Sequence, residues 1–474
     1  MAKSLCSIRK ALLILPLLFV SQTQDLAQTQ EITSEISKIK IDVALVTTEV
    51  TVLGEGATEL RAEDFVIYDS GVAQQVSHFS RDKLPLAVAL LVDRSTSIRP
   101  YLPLLQKASV AALGRLRPED PVALFAFDDD LIKLSGLTGD RNRIAGIIGK
   151  LTIGHGTNLY DAISYVAGYL HREAPQQRRA IILISDNCNS VPGEISGDMA
   201  RIEVLESSVT LYSIKTPGDN PAAAMRVRDP GCHDSIAMVN RLADETGGQV
   251  LDAKASRPLQ EALEKAISNL RLQYTLGFSP SDPGQEGSFH KLTVRLAAED
   301  RCPACRLLVR SGYYAGSPPV PLANQIQLAS PEPANKAAQW MILRKMEAAE
   351  TIDIDLPDIP FVARAASQKD SDGKSQIRVD LQIDFSRVAF KSVGDRRTCK
   401  LHLAVFSTDD RGKILDPEFR TLEGTLQEET YNRVLKAGMS ISFAIPLKAP
   451  KQNLKIVLYD EGSDTLGSQR THFP

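Results

Sequence analysis

Residues 84–97 read LPLAVALLVDRSTS, and this stretch predicts both the fold and the place of a site. The apolar run Leu84–Val92 has the length and composition of a strand buried on both faces, as in a parallel α/β sheet. Asp93, Ser95 and Ser97 follow it at alternate positions, where the strand opens into a loop. Ligand sites of open α/β sheets form at the carboxyl ends of the strands. One carboxylate and two hydroxyl oxygens suit a hard divalent cation such as Mg2+.

Strands and helices alternate over residues 83–273 around this stretch, which predicts a doubly wound, mostly parallel sheet. Further strands are predicted at Val122–Phe127, Leu131–Leu134, Ala180–Ile184, Val209–Ile214 and Gln249–Leu251. Leu131–Leu134 follows an acidic turn and is expected to pair antiparallel. Apolar residues on one face predict helices between the strands, including Arg141–Leu151, Leu159–Leu170, Met199–Glu206 and Ser235–Glu245.

Two further motifs accompany the first one. Gly156-Thr157-Asn158 precedes the predicted helix Leu159–Leu170, and the strand Ala180–Ile184 ends in Ser185-Asp186. A strand with D-x-S-x-S, a loop with Thr and a strand with Asp, in this order, resemble the metal-ion-dependent adhesion site of von Willebrand factor type A (vWA) domains. The resemblance extends to the α/β fold that the alternation predicts.

The resemblance implies a set of metal ligands and a mode of binding. One Mg2+, or in its place Mn2+ or Ca2+, would be surrounded by Asp93, Ser95, Ser97, Thr157 and Asp186. A sixth position would stay open for an acidic group of a protein partner. Nearby loop residues that could contact this partner are His155, Asn158 and Asn187. Asn187 stands where many family members carry Gly, and Asn tolerates left-handed backbone better than most residues.

The segments on either side of the α/β region read as short strands. Residues 38–82 include Phe65–Gly71, and residues 274–316 end in Arg310–Ala315; both motifs resemble an exported, acidobacterial-type family of vWA proteins. In that family the vWA unit is inserted between β segments. Three strands on each side could not bury a face alone, so the two segments are expected to pair into one small β-sandwich.

The C-terminal third of the sequence predicts a linker and a further domain. Residues 317–354 begin rich in Pro and Ala and then have helical composition around Trp340. Residues 355–474 return to alternating polar and apolar residues, which predicts a second β-sandwich of immunoglobulin-like type.

The N-terminus predicts export. Basic residues precede the ten-residue apolar run Ala11–Val20, which is too short to span a bilayer and fits a signal peptide over residues 1–27. The expected location is the periplasm, the cell surface or the medium of a bacterium. The alternative is an uncleaved anchor, and membrane contact is expected only in that case.

Export permits disulfides, and five cysteines remain after Cys6. Cys188 and Cys232 follow neighbouring strands at one end of the sheet, which makes Cys188–Cys232 a candidate bridge. The C-x-x-C pair Cys302–Cys305 is compatible with a redox pair or half of a zinc site, but a tight disulfide is favoured because no second pair completes a zinc set. Cys399 alternates in phase with apolar residues and is expected in the core.

Composition and motifs favour a binding protein over an enzyme. The net charge is −3 and the basic residues form no long blocks, which argues against nucleic-acid binding. G-x-S-x-G, H-E-x-x-H and a Walker A loop are absent from the sequence, and no small-molecule substrate is evident. The leading hypothesis is Mg2+-dependent protein binding. The alternatives are a structural subunit of a cell-envelope assembly, in which the metal only stabilises the fold, and a metal-assisted hydrolase.

Overall fold

The structure is a computed structural model that describes residues 45–473 with short gaps. The gaps are 55–56, 58, 82–83, 218–229, 254–258, 283, 286, 298–301, 303, 317–341, 344, 351, 353, 370–372, 410–413 and 450. The predicted signal segment and Trp340 lie outside the described residues. None of the helices within the described residues combines the length and the apolar character that crossing a membrane requires.

Four short strands precede the α/β region among the residues described from 45 onward. They are β1 (Val46–Leu53), β2 (Phe65–Asp69), β3 (Val72–Gln74) and β4 (His78–Arg81). The segment after β2 contains two of these strands, β3 and β4. The two strands are short and largely exposed, so the alternation of apolar residues there is weak.

A six-stranded sheet forms the centre of the α/β region, and this confirms the predicted fold class. Its strands are β5 (Leu86–Asp93), β6 (Val122–Phe127), β7 (Leu131–Thr138), β8 (Arg178–Ser185), β9 (Val209–Lys215) and β10 (Gln249–Asp252). Their spatial order is β10-β9-β8-β5-β6-β7, with only β7 antiparallel. Every residue of β5 is buried, as expected for an apolar strand with a neighbour on each side and helices on both faces.

Six helices flank this sheet within the part of the chain that the structure describes. They are α1 (Leu102–Leu113), α2 (Arg141–Ile148), α3 (Leu159–Glu173), α4 (Gly197–Glu206), α5 (Pro230–Glu245) and α6 (Leu259–Arg271). Alternate residues of the central strands pack on opposite layers, with α1, α2 and α6 on one face and α3 on the other. Helix α5 begins earlier than predicted, so Cys232 lies in its first turn rather than in a loop.

Strands after α6 return to the strands that precede β5. These are β11 (Gln273–Phe278), β12 (Phe289–Leu296), β13 (Arg306–Val309) and β14 (Gly312–Tyr314). They form two four-stranded sheets, ordered β13-β1-β11-β4 and β14-β12-β2-β3, around a common apolar core. Arg310 connects this sandwich to the α/β region, because its guanidinium donates to Leu205 O at 2.7 Å and to Ser208 Oγ at 2.9 Å at the end of α4.

The described residues after β14 include two more antiparallel sheets and a helix between two of their strands. The strands are β15 (Phe361–Lys369), β16 (Ser375–Ile383), β17 (Lys391–Val393), β18 (Arg396–Thr408), β19 (Ile414–Gln427), β20 (Met439–Pro446), β21 (Gln452–Asp460) and β22 (Thr465–Phe473). Helix α7 (Glu428–Ala437) lies between β19 and β20 and is not predicted from the sequence. One sheet is β15-β16-β20, the other is β17-β18-β21-β22 with β19 beside β18, and both contribute to one core.

The second face of the β18–β21 sheet is also buried. Ala404, Phe406 and Val457 on that face belong to the same apolar cluster as Leu86 and Val88 of the central sheet. A helical stretch at 345–350 lies in this cluster and is tied to β21 by Lys455, whose Nζ donates to Ala349 O at 2.6 Å and to Ile352 O. The α/β sheet and the C-terminal sheets therefore share a core.

Candidate metal centre

Asp93 is held at the carboxyl end of β5 by hydrogen bonds to both of its oxygens. Its side chain is fully buried, because β5 lies in the middle of the sheet. Oδ1 accepts from the backbone N of Ser95 at 2.7 Å, and Oδ2 accepts from the hydroxyl of Ser185 at 2.6 Å. The first bond turns the chain away from the strand direction immediately after Asp93, which is the usual role of an Asp at the start of a turn.

This turn brings the two serine hydroxyls of the D-x-S-x-S motif together. Ser95 Oγ and Ser97 Oγ are 3.1 Å apart, and both residues are buried. A short 3-10 turn at Thr96–Ile98 follows and keeps Ser97 on the same side as Ser95. The three oxygen-bearing side chains that sequence analysis places after β5 therefore lie in one compact loop.

Arg94 occupies the position between two of these residues and is itself buried. Its Nη2 lies 2.8 Å from Oδ2 of Asp128 at the end of β6. Its backbone O accepts from Gly154 N at 2.8 Å, and Asp128 O accepts from Asn158 N at 2.6 Å. The Arg94–Asp128 ion pair thus joins the D-x-S-x-S loop to the loop that carries Thr157.

Thr157 is buried in the loop before α3. Its backbone O accepts from Ser190 N at 3.0 Å and from Val191 N at 3.2 Å, so this loop also contacts the loop after β8. The loops approach closely at Gly156, where an added Cβ atom would have to displace the side chains of Asp129 and Val191.

Asp186 lies at the end of β8, beside Asp93, and is partly exposed. Its Oδ1 accepts from Cys188 N at 3.0 Å. Asn187, between Asp186 and Cys188, has a left-handed backbone with φ of 65°. Asn is one of the residues that tolerate this conformation, as noted from the sequence. Its Oδ1 accepts from Ser213 Oγ at 2.8 Å on neighbouring β9. This hydrogen bond orients the Asn187 side chain within the loop.

The electrostatics of the site favour a cation. The pKa of Asp93 is raised to about 7, mainly by burial and then by the negative charge of Asp186. The hydrogen bonds from Ser185 and Ser95 lower this pKa but do not offset the rise. A cation between the two carboxylates would offset both the desolvation and the repulsion. The donor set of two carboxylates and three hydroxyls consists of oxygen ligands, which fits Mg2+, Mn2+ or Ca2+.

The described residues contain no group of three or more His, Cys, Asp or Glu side chains arranged to hold a metal. The hydroxyls of Ser95, Ser97 and Thr157 would therefore have to complete the coordination that Asp93 and Asp186 begin. Among these five residues, direct contacts join Asp93, Ser95 and Ser97, while Asp186 acts on Asp93 through its charge.

An open depression of about 530 Å³ adjoins the loops of the candidate centre, and it is lined by Thr96, His155–Gly156 and Cys188–Val191. His155 is exposed at its rim. Asn158 instead donates from its side chain to Asp161 at 3.0 Å, and Asn187 is fully buried. Of the three loop residues proposed to contact a partner, His155 is exposed, Asn158 is half-buried and Asn187 is buried.

Both candidate disulfides are present. Cys188 is bonded to Cys232, with a Cα–Cα distance of 4.6 Å, and Cys302 to Cys305, with 5.2 Å. Cys399 carries a free thiol and is half-buried at the edge of the C-terminal core. The Cys188–Cys232 bridge fastens the loop after Asp186 to helix α5.

Three groups that shape the site are not predicted from the sequence: Ser185, Asp128 as the partner of Arg94, and Ser235 of α5. Ser185 was visible as a polar residue at the end of an apolar strand, directly before Asp186. The contacts of Ser185 and Ser235 reach residues 92 and 48 positions away, so no local pattern indicates them.

A known protein family matches part of the α/β region. The family model described as von Willebrand factor type A domain matches residues 88–189. None of the curated proteins compared matches the chain significantly. Among solved structures, an aerotolerance-related membrane protein from Bacteroides fragilis is 20% identical, with 39% of this chain and 98% of that chain covered and a TM-score of 0.31.

Two other similar structures are more distant in sequence. Proximal thread matrix protein 1 from the mussel byssus, solved with a zinc-occupied MIDAS motif, is 16% identical. The alignment covers 42% of this chain and 48% of that chain, with a TM-score of 0.32. A von Willebrand factor type A protein from Catenulispora acidiphila is 12% identical, and the alignment covers 57% of this chain and 73% of that chain with a TM-score of 0.33. The family match at residues 88–189 includes all five candidate ligands, and the chain therefore contains a von Willebrand factor type A domain.

Proposed function

We propose that this chain is an exported, Mg2+-dependent protein-binding module that captures an acidic group of a protein partner. The surroundings of Asp93 carry the proposal. This buried carboxylate lies at a strand end beside two serine hydroxyls that are 3.1 Å apart, and the charge of Asp186 acts on it. Such a set of oxygens gains most from a divalent cation, because the ion offsets the cost of burying the carboxylate.

The charged and the neutral ligands would have different roles. Asp93 and Asp186 would neutralise the ion, and the hydroxyls of Ser95, Ser97 and Thr157 would complete its coordination without adding charge. When bound, the ion would supply an open coordination position with enough Lewis acidity for a third carboxylate. Mg2+ is proposed first, and Mn2+ or Ca2+ could take its place.

The depression beside the centre is proposed to receive the residues that flank the partner's acidic group. Its lining is polar and includes the exposed imidazole of His155 and the backbone of Cys188–Val191. Loops placed on a rigid α/β scaffold commonly provide specificity of this kind. The two disulfides support an oxidising compartment, in agreement with the predicted signal peptide.

A second candidate is a structural subunit of a cell-envelope assembly in which the metal only stabilises the fold. The observation that favours it is the dense hydrogen bonding of the site, where Ser95 and Ser185 already donate to Asp93. This candidate predicts that removing the metal lowers the melting temperature while partner binding is unaffected.

A titration of the full chain with Mn2+ followed by a peptide tests the proposal. Mn2+ enhances the relaxation of water protons when it keeps a coordinated water. We expect saturable binding at one site, and we expect an aspartate-containing peptide to lower the enhancement by replacing that water. The same peptide with asparagine is the control. Equal effects of the two peptides would count against capture of an acidic group and in favour of the structural role.

A further inference from the structure

Ser235 of helix α5 holds the loop that follows Asp186 through hydrogen bonds to its backbone. The hydroxyl of Ser235 donates to the backbone O of Asn187 at 2.9 Å and shares its proton with Cys232 O, also at 2.9 Å. The hydroxyl oxygen of Ser235 also accepts from Asn189 N at 2.9 Å. Only 1% of Ser235 is exposed, so water does not compete for these hydrogen bonds.

The loop held in this way contacts Asp186 and Thr157, the two candidate ligands outside the D-x-S-x-S motif. Cys188 N donates to the carboxylate of Asp186, and Ser190 N donates to the backbone O of Thr157. Movement of the loop away from α5 would therefore disturb the Asp186 carboxylate and the Thr157 loop together. Ser235 contacts neither Asp186 nor Thr157 directly, but the loop that it holds contacts both.

A covalent link lies one turn away on the same helix. Cys232 in the first turn of α5 is bonded to Cys188 of the loop. The disulfide fixes Cys188 to the helix, but it holds neither Asn187 O nor Asn189 N, the two backbone atoms that Ser235 contacts. The hydroxyl of Ser235 fixes these two residues, so the disulfide and Ser235 restrain different parts of the loop.

We propose that Ser235 is a positioning residue for the metal centre: its buried hydroxyl holds the loop after Asp186 in the conformation that binds the ion. This inference rests on the proposed metal-dependent function. In the absence of the hydroxyl, the metal-free loop would sample other conformations. The apparent dissociation constant then rises in inverse proportion to the fraction of molecules that remain competent to bind.

Three variants of the full chain test the role of the hydroxyl. Ser235→Ala removes it, and Ser235→Thr keeps it. Ser109→Ala is the matched control, because Ser109 is also 1% exposed on a helix of the same region and its hydroxyl has no partner among the described residues. The probe is Mn2+, with the free ion measured by electron paramagnetic resonance. Hydrogen exchange over residues 186–191 of the metal-free protein is the second readout.

We expect Ser235→Ala to bind Mn2+ about tenfold more weakly than wild type, since loss of one shared hydrogen-bonding group is worth about that factor. Hydrogen exchange over residues 186–191 should accelerate in this variant. Ser235→Thr and Ser109→Ala should keep wild-type affinity and exchange. Equal Mn2+ affinity of Ser235→Ala and Ser109→Ala, in a wild type that binds, would overturn the inference alone.

Two further outcomes are also decisive. Weakened binding in both Ser235→Ala and Ser109→Ala would mean that general loss of stability, and not positioning, lowers the affinity, which again overturns the inference. Failure of the wild type to bind Mn2+ would overturn the proposed function, and the inference with it. This last result is distinguishable because it appears before any variant is compared.

Discussion

Asp93 is the residue on which the metal centre depends most. Asp93→Asn has nearly the same shape, and its remaining oxygen can still accept from Ser95 N. Because the variant removes one of two carboxylates, we expect Mg2+ affinity to fall by more than about 100-fold while the fold persists. Isothermal titration with Mg2+ and circular dichroism check the two halves of this expectation. Wild-type affinity in Asp93→Asn would show that the ion binds elsewhere.

Asn187 combines a left-handed backbone with a buried hydrogen bond to Ser213. Asn187→Ala loses the hydrogen bond and places a less tolerant residue at φ of 65°, so we expect a loss of about 2 kcal/mol in the free energy of unfolding. Asn187→Gly loses the same hydrogen bond but relieves the backbone, and should lose only about 1 kcal/mol. Urea unfolding of the two variants separates these contributions, and equal losses would argue against backbone strain.

Helix α4 ends in an acidic pair whose protonation should make stability depend on pH. Burial, and then the charge of Glu203, raise the pKa of Glu206 to about 7. A carboxyl with a higher pKa in the folded than in the unfolded state binds more protons when folded, so its contribution to stability is lost as the pH rises from about 4.5 to about 7.

Glu206→Gln stays neutral throughout this range. We therefore expect the variant to melt at a higher temperature than wild type at pH 8 and at the same temperature at pH 4. Thermal unfolding at the two pH values checks the sign. Glu428→Gln, at an exposed helix start, is the control and should show no such pH-dependent gain. A gain for Glu206→Gln that is equal at both pH values would exclude the titration of Glu206 as the cause.

Elements that are buried on both faces are the ones that the sequence predicts best. Strands β5, β6, β8 and β9 lie within two residues of the predicted apolar runs, because the interior of the sheet demands such runs. Helix α7 is missed because it is short and mostly polar, buries only Val434 and begins directly after β19. Hydrogen bonds such as Ser235–Asn187 join distant residues and leave no periodic signal.

At the scale of the whole molecule, the shared core is the feature that sequence patterns conceal. Alternation along β18 predicts Leu401, Leu403 and Val405 on a core face, but Ala404 and Phe406 on the opposite face are buried as well. This second face belongs to the apolar cluster that also contains residues of the α/β region and of the 345–350 segment, which a strand pattern alone does not indicate. Separation of the C-terminal sheets would expose this apolar face to water.

We therefore expect the α/β region and the C-terminal sheets to unfold together. Ile352 is fully buried in the shared core, and Ile377 is fully buried in the core of the C-terminal sheets alone. Each substitution to Ala should cost about 2–5 kcal/mol. In differential scanning calorimetry the wild type should show one transition, and both Ile352→Ala and Ile377→Ala should shift this whole transition to lower temperature. Independent cores would give a different result, because Ile377→Ala would then split off an early C-terminal transition and leave the rest unchanged.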